Sequence, residues 1–281
     1  IDAQVFGTLL DGGPSTYADR AIPTDSAAAL KLVKAVLTRL DTDRLGCADE
    51  LEKRMLALTH DSLELSRRTD ADLVRLLLAL APPVPGGRFL DPACGFGSVL
   101  LAAREMVADR GDVTLEGRDS DEQAWYIAKA RLGSRSIAHE LGRSPTNSLT
   151  TGGFAPDCFD TVVAEPGGRL REAVKWLEAV PGLLAANGTA AVELTADTLQ
   201  ANERLGQVVQ AGVGAVVITP RAVRPETRER VAIWVLRKSA PGEVLVIDLS
   251  DQDRRSQSTK PLHADEIDAV GAMVAARSEE H

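Results

Sequence analysis

From Arg88 onward, short apolar runs alternate with longer amphipathic segments along the sequence. The runs read RFLD, VTLEGRD, FDTVVAE, TAAVELT, GAVVITP, RVAIWVLRK and EVLVIDLS. Most of them are separated by segments of helix length, such as GSVLLAAREMVADR, and this alternation is typical of a mainly parallel sheet with helices on both faces. The last three runs follow one another with little helix between them, which predicts an antiparallel edge. We therefore predict an α/β domain over residues 83–281.

The preceding residues 1–82 are predicted to form an N-terminal helical segment. In both TDSAAALKLVKAVLTRL and TDADLVRLLLALA, leucines and valines recur at helical spacing. The second helix would be capped by Thr69 or Asp70, and PPVPGG would end it, because two adjacent prolines cannot continue a helix. The chain begins at Ile1 rather than Met, which is compatible with a piece of a longer protein.

Composition limits the class of protein. The 281 residues are 44% hydrophobic and 26% charged, as expected for a soluble globular protein. The formal net charge of -9 repels phosphate, so any contact with DNA requires a local basic surface. Three widely spaced cysteines, Cys47, Cys94 and Cys158, predict neither a disulfide framework nor a zinc site and favour a cytoplasmic location. No apolar run reaches the ~18 residues of a membrane-spanning helix, so no membrane contact is expected.

The stretch RFLDPACGFGSVLLAA contains the most informative turn. We expect a strand to end at Asp91 and a helix to begin near Ser98. The unpaired amides and positive dipole end of that helix would then face the crevice where open α/β sheets bind ligands. A plain connection between strand and helix is the alternative. A nicotinamide or flavin site is disfavoured, because G-x-G-x-x-G would place glycine at Leu100, and leucine blocks the close packing of helix on strand that this fingerprint provides.

The same stretch resembles the first motif of the amino-methyltransferases that modify DNA adenine, usually written D-P-A-C-G, then Thr or Ser, then Gly. The likeness is in particular to the M subunit of type I restriction-modification systems. It implies a Rossmann-like class I fold of S-adenosylmethionine (SAM)-dependent methyltransferases, with SAM as the cofactor and no metal. Asp91, Ala93, Gly95 and Gly97 would form the wall against the methionine part of SAM. Phe96 stands where the family prefers a small residue, and its ring could crowd that pocket.

Further matches follow in the order of the family's motifs. VTLEGRDSDEQAWYIAKARL resembles the second motif, G-x-E before a helix, and places Asp119 where a carboxylate binds the ribose hydroxyls. A solvated acid at a strand end is the alternative. Asn147 replaces the usual aspartate near the adenine ring and can both donate and accept hydrogen bonds. Thr69 matches the start of the family's T-P segment, with Asp70 in place of proline. The resemblance covers about residues 60 to 250.

The expected catalytic tetrapeptide follows FDTVVA and reads Glu165-Pro166-Gly167-Gly168. In the family these positions hold Asp, Asn or Ser, then two prolines, then an aromatic residue. The acceptor and a proline carbonyl bind the exocyclic amine of a flipped adenine, and the aromatic ring stacks on the base. Glu165 is longer by a methylene, and a displacement of about 1 Å can lower the rate roughly 100-fold. Gly167 loosens the loop, and Gly168 removes a stacking surface worth ~1–3 kcal/mol per base. No nearby aromatic residue is clearly placed to replace that surface; those considered are Phe154, Phe159 and Trp176.

One basic cluster could contact DNA, although a solvated loop with nearby glutamates offsetting its charge is the alternative. The cluster consists of Arg221, Arg224, Arg228 and Arg230. No segment resembles a target-recognition domain. Sequence-specific DNA binding would therefore require a partner chain, such as a specificity subunit, or a recognition domain missing from this chain.

Three functions agree with these patterns. The first is a DNA adenine-N6 methyltransferase that works with an unusual tetrapeptide. The second is a binding or regulatory module that keeps a SAM pocket but has lost catalysis, and the third is a SAM-dependent methyltransferase of a different substrate. The departures within the tetrapeptide all act on one step, so they predict inefficient adenine methylation.

Overall fold

A computed structural model describes residues 70–151, 153–166, 170–200, 212–220, 230–238, 243–250 and 262–279. The strands of this part are β1 (Arg88–Asp91), β2 (Thr114–Gly117), β3 (Phe159–Ala164), β4 (Leu184–Thr195), β5 (Val213–Ile218), β6 (Val231–Arg237) and β7 (Leu245–Asp248). The α-helices are α1 (Ala71–Leu80), α2 (Ser98–Val107), α3 (Glu122–Ser134), α4 (Ser148–Thr151), α5 (Leu170–Ala179) and α6 (Ala264–Glu279). Two 3-10 helices, Val180–Leu183 and Ala196–Gln200, flank β4.

The strands form one sheet in the order β2-β1-β3-β4-β6-β5-β7. All neighbouring pairs are parallel except the two that involve β6. The predicted mainly parallel α/β sheet is therefore confirmed. Because β1 lies between β2 and β3, the carboxyl ends of these three strands lie next to one another at one edge of the sheet.

The position of the antiparallel strand differs from the prediction. We expected it at the edge, whereas β6 lies inside the sheet between β4 and β5, and the edge strand β7 runs parallel to β5. The physical reason is burial, because six consecutive residues of β6, from Val231 to Leu236, are buried. Such a run requires a strand that is covered on both faces and paired along both edges. The edge strand β7 instead has Val246 61% exposed.

Two apolar cores lie on opposite faces of the sheet, because alternate side chains of each strand point to opposite faces. One core contains Phe89 and Val163 together with apolar side chains of α1, α2, α3 and α6. The other contains Leu90 and Val162 with Trp176 and Leu177 of α5. Helices thus cover both faces, which leaves the ends of the strands as the place for polar groups.

Helix α1 forms as predicted. Asp70 is its N-cap, with a carboxylate oxygen that accepts the N–H of Asp72 at 2.8 Å. The leucines at helical spacing are buried, and α1 packs against α6 where Gly271 comes close to Ala79. The rest of the predicted N-terminal helical segment, Thr69 included, lies outside the described residues.

The described part of the chain contains no helix with the length and apolar content needed to cross a membrane.

Candidate functional site

The candidate site lies where β1, β2 and β3 end. Asp91 is the last residue of β1, and Asp119 and Glu165 follow β2 and β3 closely. Burial is the main cause that raises the pKa of Asp91, and the negative charges of Glu165 and Asp119 add to it, as expected for carboxylates that share one edge of the sheet. The structure thus brings together three acidic residues that are far apart in the sequence.

The glycine-rich turn connects β1 to α2. Gly95 and Gly97 have φ angles of 50° and 75°, in the left-handed region that glycine adopts without strain. Gly97 is the N-cap of α2 and provides no side-chain hydrogen bond to the first turn, so the helix begins with amides that no capping side chain satisfies. This arrangement suits a ligand carrying a negative group at the crevice.

Close packing of α2 on the sheet is achieved by a glycine on the strand rather than on the helix. Leu100 is fully buried, and a Cβ atom added to Gly117 of β2 would lie 3.0 Å from its Cδ1. Gly117 stands opposite Asp91 in the pairing of β1 with β2. Gly117 therefore leaves the space that the bulky Leu100 occupies. Leu100 is the residue that disfavours a nicotinamide or flavin site, and Gly117 is the glycine of the stretch that resembles the second motif.

Asp119 joins the two loops. Its Oδ2 accepts the N–H of Gly95 at 2.8 Å, and its Oδ1 accepts the N–H of Asp121 at 2.7 Å. The backbone adds further links, because Arg118 donates its N–H to Asp91 O and accepts the N–H of Cys94. The carboxylate predicted at the ribose is thus also a structural link between the glycine-rich turn and the end of β2.

Asp91 is buried at the end of β1, and its pKa is strongly perturbed. Its side chain is 2% exposed, and burial is the main cause that raises its pKa well above the ordinary value. The hydrogen bond from the N–H of Ala93, at 3.1 Å, acts in the opposite direction. Burial also raises the pKa of the neighbouring Cys94 thiol, with smaller effects of Asp91 and Asp119, so the thiol stays protonated at neutral pH.

Asn147 lies in a segment bound to both loops. The N–H of Thr146 donates to Asp119 O at 2.7 Å, and the hydroxyl of Ser148 donates to Pro92 O at 2.5 Å. Asn147 itself is exposed, and its Oδ1 accepts the N–H of Leu149 at 3.0 Å. The structure therefore places Asn147 in a segment bonded to the loops that follow β1 and β2.

The side chain of Phe96 is buried against α3. It is 5% exposed and packs against Ala124 and Ile127 of α3. Its carbonyl oxygen accepts a hydrogen bond from Arg131 Nη1 at 2.5 Å. The turn thus directs the side chain of Phe96 toward α3, so we expect the ring to leave the pocket free.

Glu165 and Pro166 follow β3 directly, and both are partly buried. Gly167 and Gly168 lie outside the described residues. Phe154, the aromatic residue before β3, packs edge-to-face on Phe159 with ring centroids 5.9 Å apart. Arg118 lies over its ring at 5.1 Å. Phe154 is thus already engaged with protein groups.

The two other aromatic residues considered for stacking, Phe159 and Trp176, are both buried. They lie in the core of the α5 face, with 0% and 8% of their surface exposed. Of the basic cluster, only Arg230 belongs to the described part of the chain.

Two site residues were not predicted. Ser148 carries a weak signal, since it follows Asn147 directly and begins a short helix. Arg131 is 7% exposed and reaches Phe96 O and Ser98 Oγ from the third turn of α3. An arginine at an apolar position of a helix indicates a buried polar contact, but the sequence does not predict that the partner is Phe96, 35 residues away.

Comparison with known proteins agrees with the geometry. Residues 54–168 match the N-6 DNA Methylase family. A stretch of 102 residues is 30% identical to the type I restriction enzyme MjaIX methylase subunit of Methanocaldococcus jannaschii. The match covers 35% of this chain and 18% of that protein, so the chain spans less than a fifth of this relative.

Solved structures support the fold. A putative class I S-adenosylmethionine-dependent methyltransferase from Listeria monocytogenes is similar with a TM-score of 0.66 and 14% identity, over 98% of this chain and 90% of that one. A modification subunit of a putative type I restriction enzyme from Vibrio vulnificus gives 0.64 and 18% identity, over 83% of this chain and 57% of that one. The type I restriction-modification methyltransferase subunit from Streptococcus thermophilus gives 0.58 and 15%, over 75% and 53%. The chain therefore has the fold of class I SAM-dependent methyltransferases, and its residues 54–168 match the N-6 DNA Methylase family.

Proposed function

We propose that this chain binds SAM in the crevice beside Asp91 and Asp119 and has little adenine-N6 methylation activity of its own. The observation that supports binding most directly is the network of hydrogen bonds that joins the glycine-rich turn to Asp119 and to the segment of Asn147. These three parts correspond to the methionine, ribose and adenine sides of the cofactor in the family that the sequence resembles. A pocket held in this way needs little rearrangement to bind its ligand.

The described residues fit SAM chemically. Asp91, Ala93, Gly95 and Gly97 would lie against its methionine part, and the uncapped start of α2 suits a carboxylate. The three acidic residues at the edge suit a ligand that also carries an ammonium and a sulfonium group. Asp119 would hold the ribose hydroxyls, with Asn147 near the adenine. Thr69 is proposed for the same pocket from the sequence alone. When bound, SAM supplies a methyl group activated by the positive sulfur.

The proposed lack of efficient methyl transfer rests on Glu165 and its neighbours. Glu165 and the carbonyl of Pro166 would accept hydrogen bonds from an exocyclic amine. However, Gly167 and Gly168 supply neither the second rigid residue nor a ring to stack on the base. Phe154, Phe159 and Trp176 are engaged in packing. The extruded base would therefore bind weakly and move in the site.

DNA contact is proposed through a partner. The net charge of -9 opposes binding to phosphate, so a second chain or a recognition domain elsewhere would supply the basic surface. The relatives are named as methylase and modification subunits. By this likeness we propose that the chain works beside a specificity subunit, in the reducing cytoplasm that its separate cysteines favour.

Titration calorimetry tests the pocket. We expect heat of binding with SAM and with S-adenosylhomocysteine (SAH), and weaker heat for Asp119→Asn, which loses negative charge at the ribose. A protein that binds neither compound at millimolar concentration contradicts the proposal.

Catalysis is tested separately with methyl-labelled SAM and mixed-sequence DNA. We expect almost no label in DNA with the chain alone. Efficient labelling of adenine would contradict the proposed loss of activity and favour an active methyltransferase. Label in a small acceptor but not in DNA would favour a different substrate.

A further inference from the structure

Residues 146–148 cross between the loops that follow β1 and β2. The backbone N–H of Thr146 bonds to the carbonyl that follows β2, at Asp119, and the hydroxyl of Ser148 bonds to the carbonyl of Pro92 beyond β1. Asn147 lies between these two attachment points. Its orientation is therefore set by a backbone contact on one side and a side-chain contact on the other.

The contact of Ser148 differs from the other hydroxyl contacts of this segment. Thr146 Oγ1 donates to Ser144 O and Thr150 Oγ1 to Asn147 O, at 2.9 Å and 3.3 Å, and both contacts are exposed and local. The bond of Ser148 is partly buried and joins residues 56 positions apart. It is thus a tertiary contact, whereas the other two only stabilise their own turn.

We propose that Ser148 is a positioning residue that fixes Asn147 relative to the glycine-rich turn. This inference rests on the proposed SAM site and adds to it a residue that does not contact the cofactor. SAM carries its methionine part and its adenine at opposite ends. The glycine-rich turn and the segment of Asn147 must therefore lie at a fixed separation to contact both ends. The hydroxyl of Ser148 sets that separation through Pro92, the residue after Asp91.

Loss of this hydroxyl is expected to weaken cofactor binding moderately. Removal of one neutral hydrogen bond typically lowers affinity about 3- to 10-fold. Ser148→Ala should therefore bind SAH about 3- to 10-fold more weakly than the unmodified chain, while Ser148→Thr, which keeps the hydroxyl, should bind about as tightly. Thr150→Ala is the matched control, since it removes a hydroxyl from the same short helix without touching the β1 loop.

The experiment is a double-mutant cycle with SAH as the probe. Titration calorimetry is carried out on the unmodified chain, Ser148→Ala, Asn147→Ala and the double variant, with thermal unfolding of each to show that it is folded. If Ser148 acts through Asn147, Ser148→Ala should have little further effect once Asn147 is alanine. Amide hydrogen exchange of the free protein should also be faster at residues 146–150 in Ser148→Ala than in Thr150→Ala.

The outcomes separate this inference from the proposed function. If the unmodified chain binds no SAH, the proposed function fails and the inference fails with it. If the chain binds SAH and Ser148→Ala binds equally well, only the inference fails. An equal loss with and without Asn147 would show that Ser148 acts independently of it and would also overturn the inference.

Discussion

At the scale of single residues, Asp91 is buried at a cost to the folded state. Its carboxyl is 2% exposed and lies close to Glu165 and Asp119, so the charged form is disfavoured and its pKa is raised. Between the ordinary pKa and this raised pKa, the native protein binds more protons than the unfolded chain. The free energy of unfolding contributed by Asp91 must then fall as pH rises through that window.

Replacement of Asp91 by asparagine makes this effect measurable. The Oδ1 of Asn can still accept the N–H of Ala93, but no charge is buried, so Asp91→Asn should gain stability relative to the unmodified chain as pH rises above about 4. The gain can be at most about 1.4 kcal/mol per pH unit, the value for one proton. Urea unfolding of both proteins from pH 4 to pH 8 gives the difference. Parallel pH profiles would contradict a raised pKa.

Gly97 is required for two separate reasons, its left-handed backbone and its contact with α3. A Cβ atom there would lie 3.3 Å from the Cβ of Ala128, whereas Gly86, with nearly the same φ, has open space around it. Gly86→Ala should therefore destabilise by about 1 kcal/mol from backbone strain, and Gly97→Ala by roughly 1 kcal/mol more. Chemical denaturation of both variants measures the difference. Equal losses would show that the contact with α3 is unimportant.

The sequence predicts which residues of the site are acidic or conformationally permissive, but not where each side chain points. Asp91, Gly95, Gly97 and Asp119 follow from strand ends and turn chemistry, and the structure brings them together. The direction of Phe96 could not be predicted, because it depends on apolar residues of α3 that become neighbours only after the chain folds.

At the scale of elements, the glycine-rich turn is held from behind by α3. Phe96 packs on Ala124 and Ile127, and Arg131 donates to Phe96 O and Ser98 Oγ. The turn therefore depends on α3 as much as on its own glycines. The family that the sequence resembles prefers a small residue at this position, whereas the ring of Phe96 packs on α3 here.

Phe96→Ser tests this role. Removal of a buried ring should destabilise the protein by about 3 kcal/mol, and SAH affinity should stay the same or fall, since no pocket volume is gained. Met106→Ser on α2, where the side chain is 41% exposed, is the control and should have a small effect on stability. Urea unfolding measures the stability of each variant, and titration calorimetry measures its affinity for SAH. Tighter SAH binding by Phe96→Ser would mean that the ring does obstruct the pocket.

The sequence predicts the order of strands and helices along the chain better than it predicts the position of each strand in the sheet. Alternating runs predicted the strands and the parallel class, because each run has the length and composition of a buried strand. The location of β6 between β4 and β5 was missed, since pairing across the sheet depends on partners far apart in the sequence, such as Thr195 and Val231. The continuous apolar run VAIWVL was the available signal for an interior position.

At the scale of the whole molecule, the protein combines a crevice that we propose for SAM with a net charge of -9, which repels nucleic acid. We therefore predict that base binding is limited by the altered tetrapeptide as well as by the negative net charge. A variant with the family's tetrapeptide residues distinguishes the effect of the tetrapeptide on base binding from the effect of the charge.

The variant Glu165→Asn, Gly167→Pro, Gly168→Phe should bind an adenine-rich single-stranded oligonucleotide more tightly in the presence of SAH. Stacking worth ~1–3 kcal/mol corresponds to a gain of roughly 5- to 150-fold. Fluorescence anisotropy at constant salt measures it, and Glu165→Asn alone serves as the control that restores the acceptor without the ring. Unchanged affinity of the triple variant would show that other parts of the DNA site are absent from this chain.

The interior position of β6 also has a consequence for the order in which the chain can fold during synthesis. Strands β1 to β4, which carry the crevice, pair with one another without any residue beyond Thr195. Strand β5 emerges from the ribosome before β6, yet it joins the sheet only through β6. The inner edge of β4 must therefore stay open until residue 237 is made, and a chain that stops before β6 exposes an edge prone to aggregation.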